Sequence, residues 1–422
     1  GSIATIPYTK TQLQDIEKVL LQLSLPLEND DLSLISSAES IKHYLYALTT
    51  ISLREHKIMN GRCSLKQQAT FGEKFFQFYT LVVSGSGRVQ STNSARKWFY
   101  EVYDNGKSIA NLLVKDKSYS AGNYAMQFKP TPLGDKVISR VMELFLLLDF
   151  QETQIHFDPK NHMMMHKETI KDIKYADLMI LLNNTVGFID NQFVIDLNRI
   201  DTMTDRVYSV FTSISSETRA KLGYINYDIN AAMPTISMQL LPDWERDRNN
   251  PLYPLHQQIV DDRKAFRTQV MEETEKPIEW VKKELSKLDN MDQYNTSFAI
   301  LDDYFQEGIT LRESLLRRVQ EQNPDMYRIA VAKASNIISK EWNEETKQMR
   351  FVPTDEKKES SVFFFIWTQC EREIREAMKS VFTNKDQVID VHDAVYSKEM
   401  VSIEDMQNAV LDQTGFEVKI SH

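Results

Sequence analysis

Apolar residues recur every three or four positions over Thr11–Leu23 and again over Ala38–Glu55, the spacing of one buried face on a helix. Val137–Leu148 is apolar on almost every side and predicts a buried helix. Between them, Phe71–Asn123 mixes Gly, Ser and basic residues with aromatics. It includes Ser84-Gly-Ser-Gly-Arg88 and predicts a loop or hairpin on the surface. Past Ile155 the texture changes, with His156, His162 and His166 around Met163–Met165. On a helix His162 and His166 would share a face, a spacing that can bind metal. No acidic third ligand stands at a useful distance and the methionines suit packing, so a structural role is expected for them.

The second half alternates differently. Strands are predicted at Phe193–Leu197, Val207–Thr212 and Tyr224–Asp228, the last feeding the apolar segment Ala231–Leu241. Leu255–Glu275, Pro277–Leu288 and Glu313–Trp342 read as polar helices, with Pro277 suited to a helix start. Lys347–Glu359 reads as a charged loop. Val362–Phe382 opens as an unbroken apolar run and continues as a charged helix. Gln387–Ser397 reads as strand, turn, strand, and Thr414–Ile420 as a closing strand. The chain shows no repeats. The expected fold class is α+β and helix-rich.

Composition narrows the classes. The 422 residues suffice for two or three domains, and 42% hydrophobic against 26% charged residues describes a globular chain rather than a disordered one. Gly1-Ser2 reads as a cleavage scar and is left out of the fold reasoning. Cys63 and Cys370 stand too far apart in sequence to suggest a zinc site or a disulfide framework, so a reducing, cytoplasmic compartment is expected. The most apolar runs, Val137–Phe150 and Val362–Trp367, are short or interrupted by Arg140 and Glu143, so no membrane span is expected. A formal net charge of −10 argues against a protein that coats nucleic acid through a general positive field. A local basic cleft, or a partner that binds the nucleic acid, stays compatible with it.

The residues able to do chemistry cluster late. In Val388-Ile-Asp-Val-His-Asp-Ala-Val-Tyr-Ser397 one alternating strand runs into His392-Asp393 and another leaves, presenting an acid at a hairpin tip. Two-metal phosphoryl transfer needs such a carboxylate held rigidly beside a second one, around ions roughly 3.5–4 Å apart. Tyr224-Ile-Asn-Tyr-Asp228 offers the second, with small residues after it that let the backbone approach a ligand. Taken singly, a His-Asp turn is more often structural, and an Asp after a strand is more often a helix cap.

Order and surroundings add to these signals. From about Thr202 to the end, the chain resembles the palm and fingers of the single-subunit RNA polymerases of phage and mitochondrial type, relatives of the family A DNA polymerases. Asp228 lies where that family has its first metal-binding aspartate, and His392-Asp393 matches its second, His-Asp, motif. Thr202-Met-Thr-Asp-Arg206 resembles the Thr/Asp-x-x-Gly-Arg element, with Asp205 in place of the Gly; Arg206 would contact the template or hybrid backbone. Ser213–Leu222, with Arg219, resembles the stretch that joins this element to Asp228. Thr368–Glu373 resembles the helix before the His-Asp motif, with Gln369 and Glu373 on one face. The triphosphate-binding helix falls at Pro277–Lys287, with Lys282 or Lys283 as the lysine and Arg263 and Arg267 supplying further charge. Asn290, eight residues past Lys282, or Tyr294 stands near the family's tyrosine position, and Arg328–Lys333 is a competing placement for the whole helix.

The resemblance implies a right-hand architecture with a small antiparallel palm sheet and helical fingers. It divides the chain into an N-terminal, thumb-like helical region at 1–195, a first palm part at 196–260, fingers at 261–360 and a second palm part at 361–422. It implies Asp228 and Asp393 as ligands of two Mg²⁺ ions, His392 beside the 3′ end or as a buttress of the turn, and DNA template, RNA product and NTPs as partners. Ala394 follows the His-Asp where the DNA polymerases usually carry Glu. Met233 stands where they place a Glu that excludes ribose. Both departures favour RNA synthesis. The chain is short for a self-sufficient enzyme of this family and acidic, so a second subunit is expected to supply promoter or template binding. The expectation is the catalytic subunit of a heterodimeric phage RNA polymerase, in the host cytoplasm. The rivals are a family A-like DNA polymerase without proofreading and a non-catalytic helical scaffold or adaptor.

Overall fold

The computed structural model describes Leu113–Lys117, Gln127–Pro130 and, with short gaps, residues 152–422. The predicted helices Thr11–Leu23, Ala38–Glu55 and Val137–Leu148 and the Ser84–Arg88 turn lie outside the described residues. The described part is α+β and helix-rich, with small antiparallel sheets. No helix among the described residues is long and apolar enough to cross a membrane. The chain divides into two compact units, Gly1–Arg199 with Ser209–Gly223, and Ile200–Tyr208 with Tyr224–His422.

In the first unit, β1 (Leu113–Lys117) pairs antiparallel with β2 (Gln127–Pro130). A three-stranded sheet holds β3 (His162–His166), β4 (Thr185–Ile189) and β5 (Gln192–Asp196), in the order β3-β5-β4. His162–His166 is therefore a strand and not the helix that the His spacing invited. Alternation decides it: Met163 and Met165 turn into the core at 2% and 1% exposure, while the histidines stay on the other face. Each His accepts a backbone N–H, His162 Nδ1 from Asp158 and His166 Nδ1 from Glu168, the latter as a helix cap. Two short helices follow, α1 (Val210–Ser213) and α2 (Ser216–Lys221). Ser209 and Thr212 form a reciprocal capping box that starts α1, so the strand expected over Val207–Thr212 stops at Tyr208.

The second unit carries two strands in its first segment, β6 (Ile200–Asp201) and β7 (Val207–Tyr208), paired antiparallel. Its main sheet uses β8 (Ile225–Ile229) as an inner strand. The chain then runs through α3 (Ala232–Gln239), α4 (Pro254–Asp261), α5 (Arg263–Thr274), α6 (Ile278–Leu288), α7 (Ala299–Gln322) and α8 (Pro324–Ala334). A ribbon, β9 (Ile338–Asn343) with β10 (Gln348–Pro353), precedes α9 (Glu359–Lys379). The chain closes with β11 (Ile389–Val391), β12 (Ala394–Ser397), α10 (Ile403–Thr414) and β13 (Ile420–Ser421). The sheet order is β11-β12-β8-β13, every pair antiparallel.

Most expected elements of this unit are present with shifted ends. Leu255–Glu275 is two helices because Asp262 leaves the helical conformation and caps α5, accepting from the Ala265 N–H. Glu313–Trp342 is likewise broken: Asn323 caps α8 ahead of Pro324, α7 begins earlier at Ala299, and Trp342 falls on β9. Lys347–Glu359, expected as a loop, contains β10 and the first residue of α9. The final strand is confined to Ile420–Ser421, because α10 runs to Thr414 and ends at Gly415 in the left-handed region, φ 77°. Gly is suited to that turn, since the conformation is costly for residues with a Cβ.

Two apolar clusters support the sheet. The apolar half of α9, with Phe363, Phe365, Ile366, Ile374 and Met378, packs with Tyr227, Ile236, Val395 and Val410. Phe266, Val270, Val281, Leu285, Leu301 and Tyr304 join α5, α6 and α7 into a second cluster. Tyr227 is fully buried; its hydroxyl donates to the Glu399 carbonyl and accepts from the Val401 N–H, tying β8 to the chain after β12.

Candidate active site

The main sheet sets two carboxylates side by side. Asp228 on β8 is the register partner of Ala394 on β12, so the preceding residue, Asp393, sits at the hairpin tip directly beside it. The Ile229 N–H donates to the Asp393 carbonyl at 3.3 Å, which ties the tip to β8. His392 reverses the chain in the left-handed region at φ 54°, and its ring meets Tyr208 edge-on at 5.8 Å. His392 thus buttresses the turn through β7.

Burial and mutual repulsion act on both acids. Burial and then the neighbouring Asp393 push the Asp228 carboxyl up to about 7, against the pull of Arg263, whose Nη1 lies 3.2 Å from Asp228 Oδ2. Burial also raises Asp393, opposed chiefly by Arg206 and then by its own backbone hydrogen bond and the Arg263 and Arg375 charges. A carboxylate pair held this way carries more negative charge than its surroundings neutralise.

A cavity of 400 Å³ opens beside the pair. Asp393, His392, Arg206 and Trp367 line one part of it. Residues 231–234 at the start of α3, Arg263 and Arg267 on α5, and Lys282, Asp289 and Asn290 on and after α6 line the rest. Ala231 takes a left-handed φ of 46° there, a strained conformation that a small residue tolerates best. Arg263 and Arg267 are one turn apart on the same face of α5. Burial and the Arg263 charge lower the Arg267 pKa, and its buried Nε has no hydrogen-bond partner. In this corner Arg263 pairs with Asp228 and Lys282 with Glu279, while Arg267 Nε lacks an acceptor, the condition that an anion such as a phosphate relieves.

Behind the carboxylates lies a buried charge network that spacing did not single out. Glu371, fully buried on α9, accepts from Nε and Nη2 of Arg206, each at 3.2 Å, and from Arg375 one turn along. Arg375, also fully buried, donates to Asp390 Oδ2 at 3.2 Å and to the Asp205 carbonyl at 2.7 Å. Asp390 on β11 also pairs with Lys379 at 2.9 Å. The Asp205–Arg206 bend and the His392-Asp393 hairpin are thereby latched to one helix. Arg206 lies over Trp367 and Phe364 at 5.6 and 5.8 Å and lines the cavity with its remaining edge. The available signal was Glu371, Arg375 and Lys379 at four-residue spacing, continuing the helix behind an apolar run.

The structure brings Asp228, Asp393, His392, Arg206, Arg263, Arg267, Lys282 and Asn290 to this place. It does not bring Lys283 or Tyr294. Lys283 is exposed one position round α6, and the Tyr294 hydroxyl donates to Glu284 at 2.7 Å. Of the competing placement, Arg328 is exposed beside Asp325 and Lys333 is bonded to Asp205 at 2.6 Å. Gln369 and Glu373 lie away from the charge network, Glu373 exposed.

A metal fits the donor set in one specific way. Among the described residues no group of three or more His, Cys, Asp and Glu side chains is placed to hold an ion. Mg²⁺ needs no such cage, because it is commonly bound by one or two carboxylates together with water and substrate phosphates. Two adjacent carboxylates, both raised by burial, beside a phosphate-suited corner match that requirement. Comparison of the chain with family models, with curated proteins and with solved structures gives no match.

Proposed function

We propose that the unit containing Asp228 and Asp393 catalyses templated nucleotidyl transfer, as the catalytic subunit of a DNA-directed RNA polymerase with a right-hand architecture. The observation that carries this reading is the placement of Asp228 beside Asp393 on paired strands, next to a cavity lined by Arg263, Arg267 and Lys282. Paired acids facing a cationic wall are what transfer from a nucleoside triphosphate requires.

Asp228 and Asp393 would hold Mg²⁺, which when bound favours the ionised 3′-hydroxyl and offsets charge on the phosphates. Arg263, Arg267 and Lys282 hold the triphosphate through charge-assisted hydrogen bonds. The 3′ oxygen of the growing strand bonds to the α-phosphorus as the bond to the pyrophosphate oxygen breaks; the 3′-hydroxyl proton passes to water, and Lys282, which pairs with the exposed Glu279 in the absence of a nucleotide, would neutralise the pyrophosphate as it leaves. Arg206 is held by Glu371 and favours the ionised form of Asp393 against the effect of burial, while its free edge faces the cavity. His392, packed on Tyr208, fixes the tip that carries Asp393.

Met233 in the cavity and Ala394 after the His-Asp support ribonucleotides as substrates, through the resemblance described above. The net charge of −10 supports a second subunit that binds the template. The test is extension of a labelled RNA primer on single-stranded DNA with Mg²⁺ and either NTPs or dNTPs. Growth with NTPs is the expected result. Growth with dNTPs alone would replace the reading with a DNA polymerase. Absence of growth with Mg²⁺ and with Mn²⁺, together with no metal-dependent nucleotide binding, would leave a scaffold.

A further inference from the structure

The mechanism above leaves one acid of the cavity unused. Asp289, at the C-terminal end of α6, lines the same cavity. Its Oδ1 accepts a 2.9 Å hydrogen bond from the Tyr304 hydroxyl on α7, and among the described residues it makes no other side-chain hydrogen bond or ion pair. Burial lifts this carboxyl to about 7 against the Tyr304 bond, and none of the cavity's cations moves it.

Tyr304 is itself held on every side. It is 1% exposed and stacks on the His256 ring at 4.2 Å with the planes 10° apart. Phe266 packs against it at 5.7 Å. His256, fully buried, has Nδ1 2.8 Å from Glu307 Oε1, and Glu307 also accepts the backbone N–H groups of Leu255 and His256. Side chains from α4, α6 and α7 thus fix one carboxyl at a cavity wall, the preorganisation that a binding group needs.

The separation along α6 points to what this carboxyl meets. Asp289 follows Lys282 by seven residues, so the two share a helix face about 10 Å apart along the axis. The cationic end suits phosphates, and a carboxylate repels them. In a nucleoside triphosphate, the first neutral hydrogen-bond donors beyond the phosphates are the sugar hydroxyls, ahead of the N–H groups of the base. We infer that Asp289, oriented by Tyr304, accepts a hydrogen bond from the ribose 2′-hydroxyl of the bound nucleotide and thereby selects ribonucleotides. The inference rests on the nucleotidyl-transfer reading of this cavity.

The experiment measures equilibrium binding of GTP, dGTP and inorganic tripolyphosphate to the full chain in Mg²⁺, for the parent, Asp289→Ala and Tyr304→Phe, with a melting curve for each. At pH 8 or above, where the Asp289 carboxyl is ionised, the parent is expected to favour GTP over dGTP by roughly 10- to 100-fold, the worth of a hydrogen bond to a charged acceptor. Asp289→Ala should abolish that preference by weakening GTP, with tripolyphosphate unaffected. Tyr304→Phe keeps the stacked ring and should narrow the preference part way. A preference that survives Asp289→Ala, in a protein that still binds tripolyphosphate, overturns the inference and leaves the nucleotidyl-transfer reading intact. A lower Tm with an unchanged GTP:dGTP ratio does the same, since it marks Asp289 as a tie between α6 and α7. If Asp289→Ala does not fold, an unchanged ratio in Tyr304→Phe overturns the inference. If the parent binds neither nucleotide nor tripolyphosphate, both readings fall.

Discussion

Replacing Asp228 with Asn should stabilise the protein while removing its activity. Asn has nearly the same shape and cannot ionise. In the folded chain the Asp228 carboxyl titrates at about 7, against an ordinary value of 3.8. A folded value above the unfolded one means that the folded state holds the proton more tightly. Asp228 therefore costs no stability well below pH 4, costs progressively more as pH rises towards 7, and reaches a constant cost above that. The rise from 3.8 to about 7 sets an upper bound of about 4 kcal/mol, at about 1.4 kcal/mol per tenfold change in proton affinity. The attraction of Arg263 is already contained in the folded value and is not subtracted again. Two effects reduce the bound: the carboxyl is 24% exposed, so solvent screens part of the cost, and Asp393 shares the repulsion, because its own proton uptake relieves part of it. A net gain of about 1–3 kcal/mol remains near pH 8, or several degrees in Tm at about 2–4 °C per kcal/mol. The assay is thermal melting of the parent and Asp228→Asn with chelator, between about pH 4 and pH 8. A gain that appears only as pH rises supports the paired-acid geometry. No gain near pH 8, or the same gain at both ends, would refute it.

Asp393→Asn should abolish nucleotide incorporation, a loss of several kcal/mol of transition-state stabilisation, with an unchanged circular dichroism spectrum; a near-normal rate would remove Asp393 from the chemistry. Arg375→Met leaves Glu371 and Asp390 each short of one buried partner and should cost about 3–5 kcal/mol, read as a lowered urea midpoint. Cys370 is buried with its thiol pushed up to about 12, so iodoacetamide near pH 8 should leave the Cys370 peptide unmodified in the native protein and alkylate it after denaturation. His162→Ala should lose one hydrogen bond to the Asp158 N–H, a cost of about 1 kcal/mol in urea unfolding, and should leave zinc uptake by the protein unchanged.

The stabilising and catalytic demands of this site oppose one another. Asp228 and Asp393 are raised by burial, Asp228 also by its neighbour, whereas Glu371 behind them, raised by burial too, is offset by Arg206 and Arg375, and Asp390 pairs with Arg375 and Lys379. The buried network holds the two chain reversals in register, and the exposed side of the same network offers charge to a ligand. Such a division, with a rigid and paired support behind a frustrated front, is expected where a site must keep like charges close together.

Local pattern alone determined a good part of this. Alternating apolar residues on both sides of His392-Asp393 define the hairpin, and the apolar approach to Asp228 defines β8. The amphipathic spacing of Arg263–Thr274 and Ile278–Leu288 places Arg263, Arg267 and Lys282 on helices. These features are short-range, so a period of two or of 3.6 residues suffices to reveal them. Tertiary structure decided the rest. His162–His166 fits either period, and pairing with β5 made it a strand. Trp342 sits in a stretch that pattern extends as helix, and pairing with β10 made it strand. Arg206 and Glu371 stand 165 residues apart, and Asp205 and Lys333 stand 128 apart. Asp289 and Tyr304 lie on different helices, and only packing makes one the anchor of the other. Charges buried in this way carry no local periodicity, because their cost is met by partners that the chain brings back from afar.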